Sequence, residues 1–404
     1  MKFIINTCVH NHEQYSSNFE LQLRSPLLKE PRLSLKFDDL TAYPPFINSH
    51  DHLVGNWHPR AGNNNPYETT DVWVEEMKHS APFKERNKIW LNDEKFELTK
   101  GNAPLLTHLG MYKNIFSGCV VVQDHGPNQV EAYYDSFEIN VIRNYRQCHS
   151  LSLGNWWGGK SAEEELKAAG GKEPFIIHLA EGTDATARDS FRKFAEKGLL
   201  KANTLIIHGI ALQDDEIKKC AEAGTSICCC PESNHFLIGK TIDVDACLKY
   251  GVNFVLGTDS TLSGSVNLLE EIKAFKNYYP KISMQKIFSF FTSNAQKALM
   301  IDPQYGHLNS ATENLLLIKT KAQDPYENLI EADMPDIQFL MYRGKPIYGS
   351  TEFLDLFKIN AEDYYFFTSN NEAKFVIGHP EKIMEKIDSI LGYHKTLPYL
   401  PFQC

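Results

Sequence analysis

Between residues 119 and 256, short apolar runs alternate with longer stretches whose apolar positions recur at helical spacing, the signature of strands each followed by a helix. Strands are predicted at 46–51, 119–122, 174–177, 204–207, 226–230 and 253–256, with one or two more inside 139–153. Helices are predicted at 71–80, 104–114, 161–169, 184–197, 214–223 and 244–250, and as one long element at 283–300. Such alternation builds a parallel sheet, because parallel neighbours need a crossover and the helix supplies it. A span of about 260 residues is the size of an eight-stranded TIM-like (β/α)8 barrel. Eight strands are reached if 139–153 divides in two. Alternation alone also permits a doubly wound open sheet.

The two ends of the chain read differently. Residues 3–5 and 19–23 are short β-rich pieces, punctuated by Pro26, Pro31, Pro44 and Pro45. The β signal returns at 315–318 and 338–342, followed by a hairpin turn at Arg343-Gly344. Pairing of these segments places a small β unit beside the barrel. The expected organisation is therefore 1–46 with 308–350 as that unit, 47–307 as the α/β barrel, and 351–404 as an aromatic, partly helical C-terminal extension.

Composition narrows the function. The formal charge of −10, with no long basic stretch to offset it, argues against a nucleic-acid partner. No apolar run reaches membrane-spanning length, and the first residues are polar at Asn6 and Thr7, unlike a signal peptide. Nine cysteines cannot all pair within a monomer, and three are consecutive, Cys228-Cys229-Cys230. These three are assigned to strand packing, and a reduced, cytoplasmic protein is expected. Nothing here decides against a homo-oligomer.

The chemistry gathers at predicted strand ends. In Phe46-Ile47-Asn48-Ser49-His50-Asp51-His52, the two histidines are one residue apart and project to the same side of a strand. His178, His208 and Asp259 follow three further strands. In a parallel barrel all carboxyl ends of strands open on one face, where active sites lie. Any one of these histidines alone is more often a satisfied core residue, but five such groups at four strand ends are hard to explain by packing. Neutral imidazoles with one carboxylate suit zinc, with iron as the competitor. Glu181, three residues beyond His178, falls in the same mouth, where burial can tune a carboxyl to shuttle protons. Its bland reading is a helix-start glutamate. His10 and His12 form a similar cluster without such partners, and Asp51, facing the other way, is expected to be structural.

On these residues the chain resembles the metal-dependent amidohydrolase superfamily, in its branch of cytosine, guanine and adenosylhomocysteine deaminases and triazine hydrolases. The matching stretches are Ile47 to Leu53, His178-Leu179-Ala180-Glu181, His208-Gly209, Cys230-Pro231-Glu232-Ser233-Asn234 and Leu256-Gly257-Thr258-Asp259, in the family's order. The resemblance implies a β-sandwich built from both ends of the chain and one divalent metal ion held by His50, His52, His178 and Asp259. It further implies that Glu181 passes a proton to the substrate, that His208 bonds the attacking water or the developing oxyanion, and that Asp259 accepts the water's proton. Binuclear relatives carry a carboxylated lysine at the fourth strand end. Here that strand is expected to end near 153–155 with no lysine before Lys160, so a mononuclear site is favoured. Trp57, His58 and Arg60 are candidates for the pocket lining, Arg60 as a partner for an anionic group, along with Asn234 and His235. Ser260 and Trp156 are further candidates. The implied activity is hydrolysis of a non-peptide C–N bond in a small, heterocyclic substrate by metal-activated water, as a deaminase. Opening of a cyclic amide with the same residues is the enzymatic alternative, and a non-catalytic metal-binding relative is the alternative of another class.

Overall fold

The structure is a computed structural model that describes residues 1–90, 96–155 and 157–402. Three strands open the chain, β1 (Lys2–Val9), β2 (Tyr15–Leu23) and β3 (Ser34–Tyr43). Eight strands of the barrel follow: β4 (Phe46–Asp51), β5 (Cys119–Asp124), β6 (Asn140–Val141), β7 (Arg146–Ser150), β8 (Phe175–Leu179), β9 (Thr204–His208), β10 (Ser226–Cys229) and β11 (Asn253–Leu256). Adjacent members pair in parallel in two hydrogen-bonded arcs, β4 to β6 and β7 to β11. The arcs meet where the amides of Thr258 and Asp259 donate to the His50 carbonyl. Gly257 permits this closure, since a Cβ there would come within 2.6 Å of the His50 Cβ. The predicted strand region 139–153 does divide in two, as β6 and β7.

Buried on both faces, the barrel strands are nearly continuous apolar runs, as parallel strands under helices must be. The intervening helices start where short polar side chains satisfy free amides. Ser161 and Glu164 cap each other's backbone before Ala162–Ala169. Asp184 accepts from the Ala187 amide ahead of Ala185–Glu196. The single helix expected over 283–300 is instead two, Met284–Phe290 and Ser293–Ala298. The break falls where the barrel engages the chain: the Phe291 carbonyl accepts the Ile47 amide at the start of β4.

Six more strands complete the fold: β12 (Ala311–Thr312), β13 (Leu315–Lys319), β14 (Ile337–Tyr342), β15 (Lys345–Ser350), β16 (Tyr364–Ser369) and β17 (Glu372–Ile377). With β1, β2 and β3 they form one nine-stranded mixed sheet, ordered β12-β2-β1-β3-β13-β14-β15-β17-β16. The chain is thus a (β/α)8 barrel with a β-sandwich region drawn from both termini. The region expected as a separate extension contributes the β16–β17 hairpin to this sheet, and then the helix Pro380–Leu391. Among the described residues no helix is long and apolar enough to cross a membrane.

Candidate metal centre and active site

β4 carries the first two histidines into the barrel mouth. Its ladder with β5 slips between Asn48 and Asp51, the kind of irregularity that re-aims side chains at barrel rims. The His50 ring is fully buried, 4.9 Å from the His52 ring and 5.0 Å from that of His178 on β8. His208 ends β9 and stacks on His178 at 5.4 Å. Asp259, three residues beyond β11, brings Oδ1 to 3.8 Å from His52 Nε2 and 3.9 Å from His50 Nε2. His208 and Asp259 adopt φ values of +70° and +56°. Such left-handed backbone costs on the order of 1–3 kcal/mol at a residue with a side chain, and it concentrates at functional sites.

Potential donor atoms of His50, His178 and His208 lie within 4.8 Å of one another, as do those of His50, His52 and Asp259. Neither nitrogen of the buried His50 ring has a hydrogen-bond partner among the described residues, an exception to the rule that buried polar groups are paired. Burial, with His52 and His208 alongside, holds the His50 imidazole well below its ordinary pKa and therefore neutral. Burial and the neighbouring histidines do the same to His178. His178 Nδ1 donates to the His149 carbonyl at 2.8 Å, which leaves Nε2 with a lone pair. His208 Nδ1 meets Asn234 Oδ1 at 2.7 Å and is likewise the protonated nitrogen. The neutral His50 and His178 imidazoles, with the His52 ring and one carboxylate beside them, make a donor set that fits a divalent transition-metal ion.

Asp259 is fixed from behind. The Ser233 and Ser263 hydroxyls donate to its Oδ2 at 2.8 and 3.1 Å, and the Ser260 amide donates to Oδ1 at 2.7 Å. Beneath the site the Lys113 ammonium, with no solvent exposure, donates to the Asp259 carbonyl at 2.6 Å, Thr258 Oγ1 at 2.9 Å and Asn56 Oδ1 at 3.0 Å. It also pairs with Asp51 at 3.2 Å. Asp51 accepts from Asn56 and Asn114 as well and points away from the histidines, into this frame.

Glu181 has Oε1 3.5 Å from His208 Nε2. It precedes the helix that begins at Ala185, so it is no helix-start residue. Burial pushes its carboxyl up to about 7, partly opposed by His208. A cavity of about 320 Å³ is lined by Glu181, His52, His178, His208 and Asp259, and by the aromatic rings of Trp57, Trp73, Phe83 and Phe96.

The other pocket candidates divide. Trp57 and Ser260 line the cavity. Arg60 does not: its guanidinium pairs with Glu232, and its Nε donates to the Gly264 carbonyl at 3.1 Å. Asn234 is buried behind His208, with Nδ2 donating to Thr241 Oγ1 at 2.7 Å. His235 stacks on Tyr278 at 4.1 Å, away from the cavity, and His58 Nδ1 turns to the Pro59 carbonyl. The helix Pro231–Ile238 holds Asn234 and His235, Glu232 holds Arg60 and the Pro59 carbonyl holds His58, so that these four side chains stand outside the lining of this cavity. Trp156 lies outside the described residues. Two mouth residues escaped the sequence reading. His125, directly after β5, stacks on His178 at 4.3 Å, and His149 on β7 approaches it at 4.8 Å. The first follows an apolar strand just as His178 and His208 end theirs, so the signal was present. The fourth strand ends at Ser150, earlier than expected, and has no lysine at its end.

The helix Pro231–Ile238 carries both Ser233 and Asn234 and is held at its start by Glu271, whose Oε1 accepts the Glu232 amide at 3.1 Å. Glu271 is wholly buried, and burial pushes its carboxyl up to about 8. In the unfolded chain it deprotonates near 4.5, whereas the folded protein retains the proton to about 8. Folding stability must therefore fall as pH rises through that interval, by on the order of a few kcal/mol. Melting curves at pH 5 and pH 9 should show a smaller loss for Glu271→Gln than for the wild type. Equal losses would remove Glu271 as the source.

Known proteins share both the sequence pattern and the fold. The pattern of the amidohydrolase family matches residues 153–347, a span that includes His178, Glu181, His208 and Asp259. The chain is 32% identical over 125 residues to the aminodeoxyfutalosine deaminase of Deinococcus radiodurans, covering 31% of this chain and 29% of the relative. It is 32% identical over 182 residues to the 5-methylthioadenosine/S-adenosylhomocysteine deaminase of Pyrococcus abyssi, covering 41% of each. These alignments thus span less than half the length of the curated relatives. The fold matches that of the zinc-complexed atrazine chlorohydrolase TrzN of Arthrobacter aurescens TC1, with a TM-score of 0.70 at 16% identity, over 96% of this chain and 99% of the other. Residues 153–347 of this chain thus match the amidohydrolase family, and the chain is similar over part of its length to deaminases and in its fold to a zinc-complexed chlorohydrolase.

Proposed function

We propose that the chain is a mononuclear metal-dependent hydrolase that deaminates a small nitrogen heterocycle, with His50, His52, His178 and Asp259 as ligands and zinc as the ion. The observation that carries this reading is the convergence of His52, His178, His208, Asp259 and a carboxyl of raised pKa, Glu181, on one cavity, with donor atoms of the buried His50 ring within 4.8 Å of those of His52, Asp259, His178 and His208. The names of the deaminase relatives and of the zinc-complexed hydrolase support it. A divalent ion bound there supplies Lewis acidity and lowers the pKa of a water at the site.

The protein's own residues handle the protons. Asp259 Oδ1, free on the side facing His50 and His52, takes a proton from the attacking water. Glu181, protonated below about 7, donates its proton to a ring nitrogen; the departing amine then takes the proton that Asp259 removed from the water, and Glu181 recovers a proton from the adduct's hydroxyl as the carbonyl forms. His208, with its proton fixed on Nδ1 by Asn234, turns Nε2 to the attacking oxygen. The aromatic walls exclude water and take the flat ring of a heterocycle. Zinc-loaded protein should release ammonia from at least one member of a panel of aminopurines, aminopyrimidines and aminotriazines. Ring opening of cyclic amides with no ammonia from that panel would contradict deamination.

A further inference from the structure

The same cavity holds a cation that the reaction just described does not use. Arg86, on the helix Ala81–Ile89, lines it, and the guanidinium carbon lies 4.0 Å over the Phe83 ring and 5.7 Å from that of Trp90. Among the described residues its only polar partner is the Asn87 side-chain carbonyl, at 3.2 and 3.3 Å, and no carboxylate pairs with it. Burial lowers its pKa to about 10, which still leaves it charged at neutral pH. Lys78, the other cation of the lining, is engaged by Glu75 on its own helix. Next to Phe83, at 6.5 Å between rings, stands Trp57, which is 1% exposed and also lines the cavity. Its indole N–H has no acceptor among the described residues.

The lining thus holds a half-buried guanidinium without a counter-ion among the described residues and a buried N–H without an acceptor there, both beside the Phe83 ring. Guanidinium is the side chain best matched to a planar two-oxygen anion, and the flat faces around it suit an aromatic ligand. We propose that Arg86, assisted by the Trp57 N–H, binds a carboxylate on the substrate, so that the substrate is an anion-bearing aromatic heterocycle. One unpaired cation matches a single negative charge, which favours a carboxylate over a phosphate monoester. This inference rests on the reading of the cavity as the substrate site and moves the anion-binding role from Arg60, which Glu232 occupies, to Arg86.

The test is calorimetric binding to the zinc-loaded full chain of three probes that share one ring: indole-3-propionate, its neutral amide, and the phosphonate of equal length. The propionate should bind about tenfold more tightly than the amide. Arg86→Gln should abolish that preference, Trp57→Phe should weaken it, and Arg60→Gln should leave it intact. A preference that persists in Arg86→Gln places the carboxylate elsewhere, the metal included, and overturns the proposal. So does a larger Arg86-dependent gain for the phosphonate than for the propionate. Should Arg86→Gln lose zinc or melt early, Arg86→Lys is read instead: it keeps the charge without the fork, and an undiminished preference there contradicts the two-oxygen geometry. These probes need no turnover, so a failed ammonia screen would leave the binding result standing, and a failed binding test would leave deamination standing.

Discussion

Glu181→Gln should lower kcat for ammonia release by about 10²- to 10⁴-fold, the range expected when a positioned proton-transfer group is lost. The glutamine keeps the shape and the contact near His208 Nε2 but has no proton to give at any working pH. KM should change little, because the ring still meets the same aromatic walls, and zinc content should not change, because Glu181 stands outside the proposed ligand set. Steady-state kinetics beside metal analysis read both quantities on one preparation. A variant that retains wild-type kcat would remove Glu181 from the chemistry, and one that loses zinc would make it a ligand.

The second large effect lies beneath the site. Lys113→Met should destabilise the protein by about 3–5 kcal/mol, because it leaves the Asp51 carboxylate buried without its cation. At about 2.1 cal/mol/K per residue, that corresponds to a fall in Tm of roughly 4–6 °C for a chain of this length. Adding Asp51→Asn to Lys113→Met should recover part of the loss, since the uncompensated charge goes with it. Differential scanning calorimetry of the single and double variants measures the coupling. A double variant less stable than Lys113→Met alone would show that Asn56, Asn114 and Asn48 already neutralise Asp51. Lys113 also bonds the Asp259 carbonyl, where the backbone is left-handed, so the variant should bind zinc more weakly as well.

Most of the barrel was legible because its strands are buried on both faces and so stand out as apolar runs between amphipathic helices. β9, for example, runs from Thr204 to His208 as read from the pattern. β6 was legible only as part of a region, 139–153, that could hold one strand or two: two residues, paired at only two positions on β5, leave no period to set it apart. The break in the last helix was hidden for a different reason, since it falls where the Phe291 carbonyl engages Ile47, some 240 residues away in sequence. β16 carries half-exposed aromatic residues rather than a clean alternation, and the β16–β17 hairpin joins the sheet only through the pairing of β17 with β15.

The candidate site shows the same division. His50, His52, His178, His208 and Asp259 were found because each sits at or just beyond a strand end, where direction follows from the fold class. The pocket walls were not, because loop and helix residues take their direction from tertiary partners. Arg60 was preferred for its closeness to His52 in sequence, yet Glu232 claims it. Arg86 lies in Ala81–Ile89, which reads as an ordinary charged surface helix until its ring contacts and the cavity are seen. Asn234 and His235 follow Cys230-Pro231 in sequence, but the helix they occupy turns one behind His208 and the other onto Tyr278.

The most direct measurement is the zinc content per chain after saturation and desalting, for the wild type and for His178→Ala, a change that removes one imidazole from the buried set without touching Lys113 or Asp51. The expected result is one zinc per wild-type chain and a large loss in the variant. No bound divalent metal in the wild type, or one zinc retained undiminished by His178→Ala, would contradict the proposed centre.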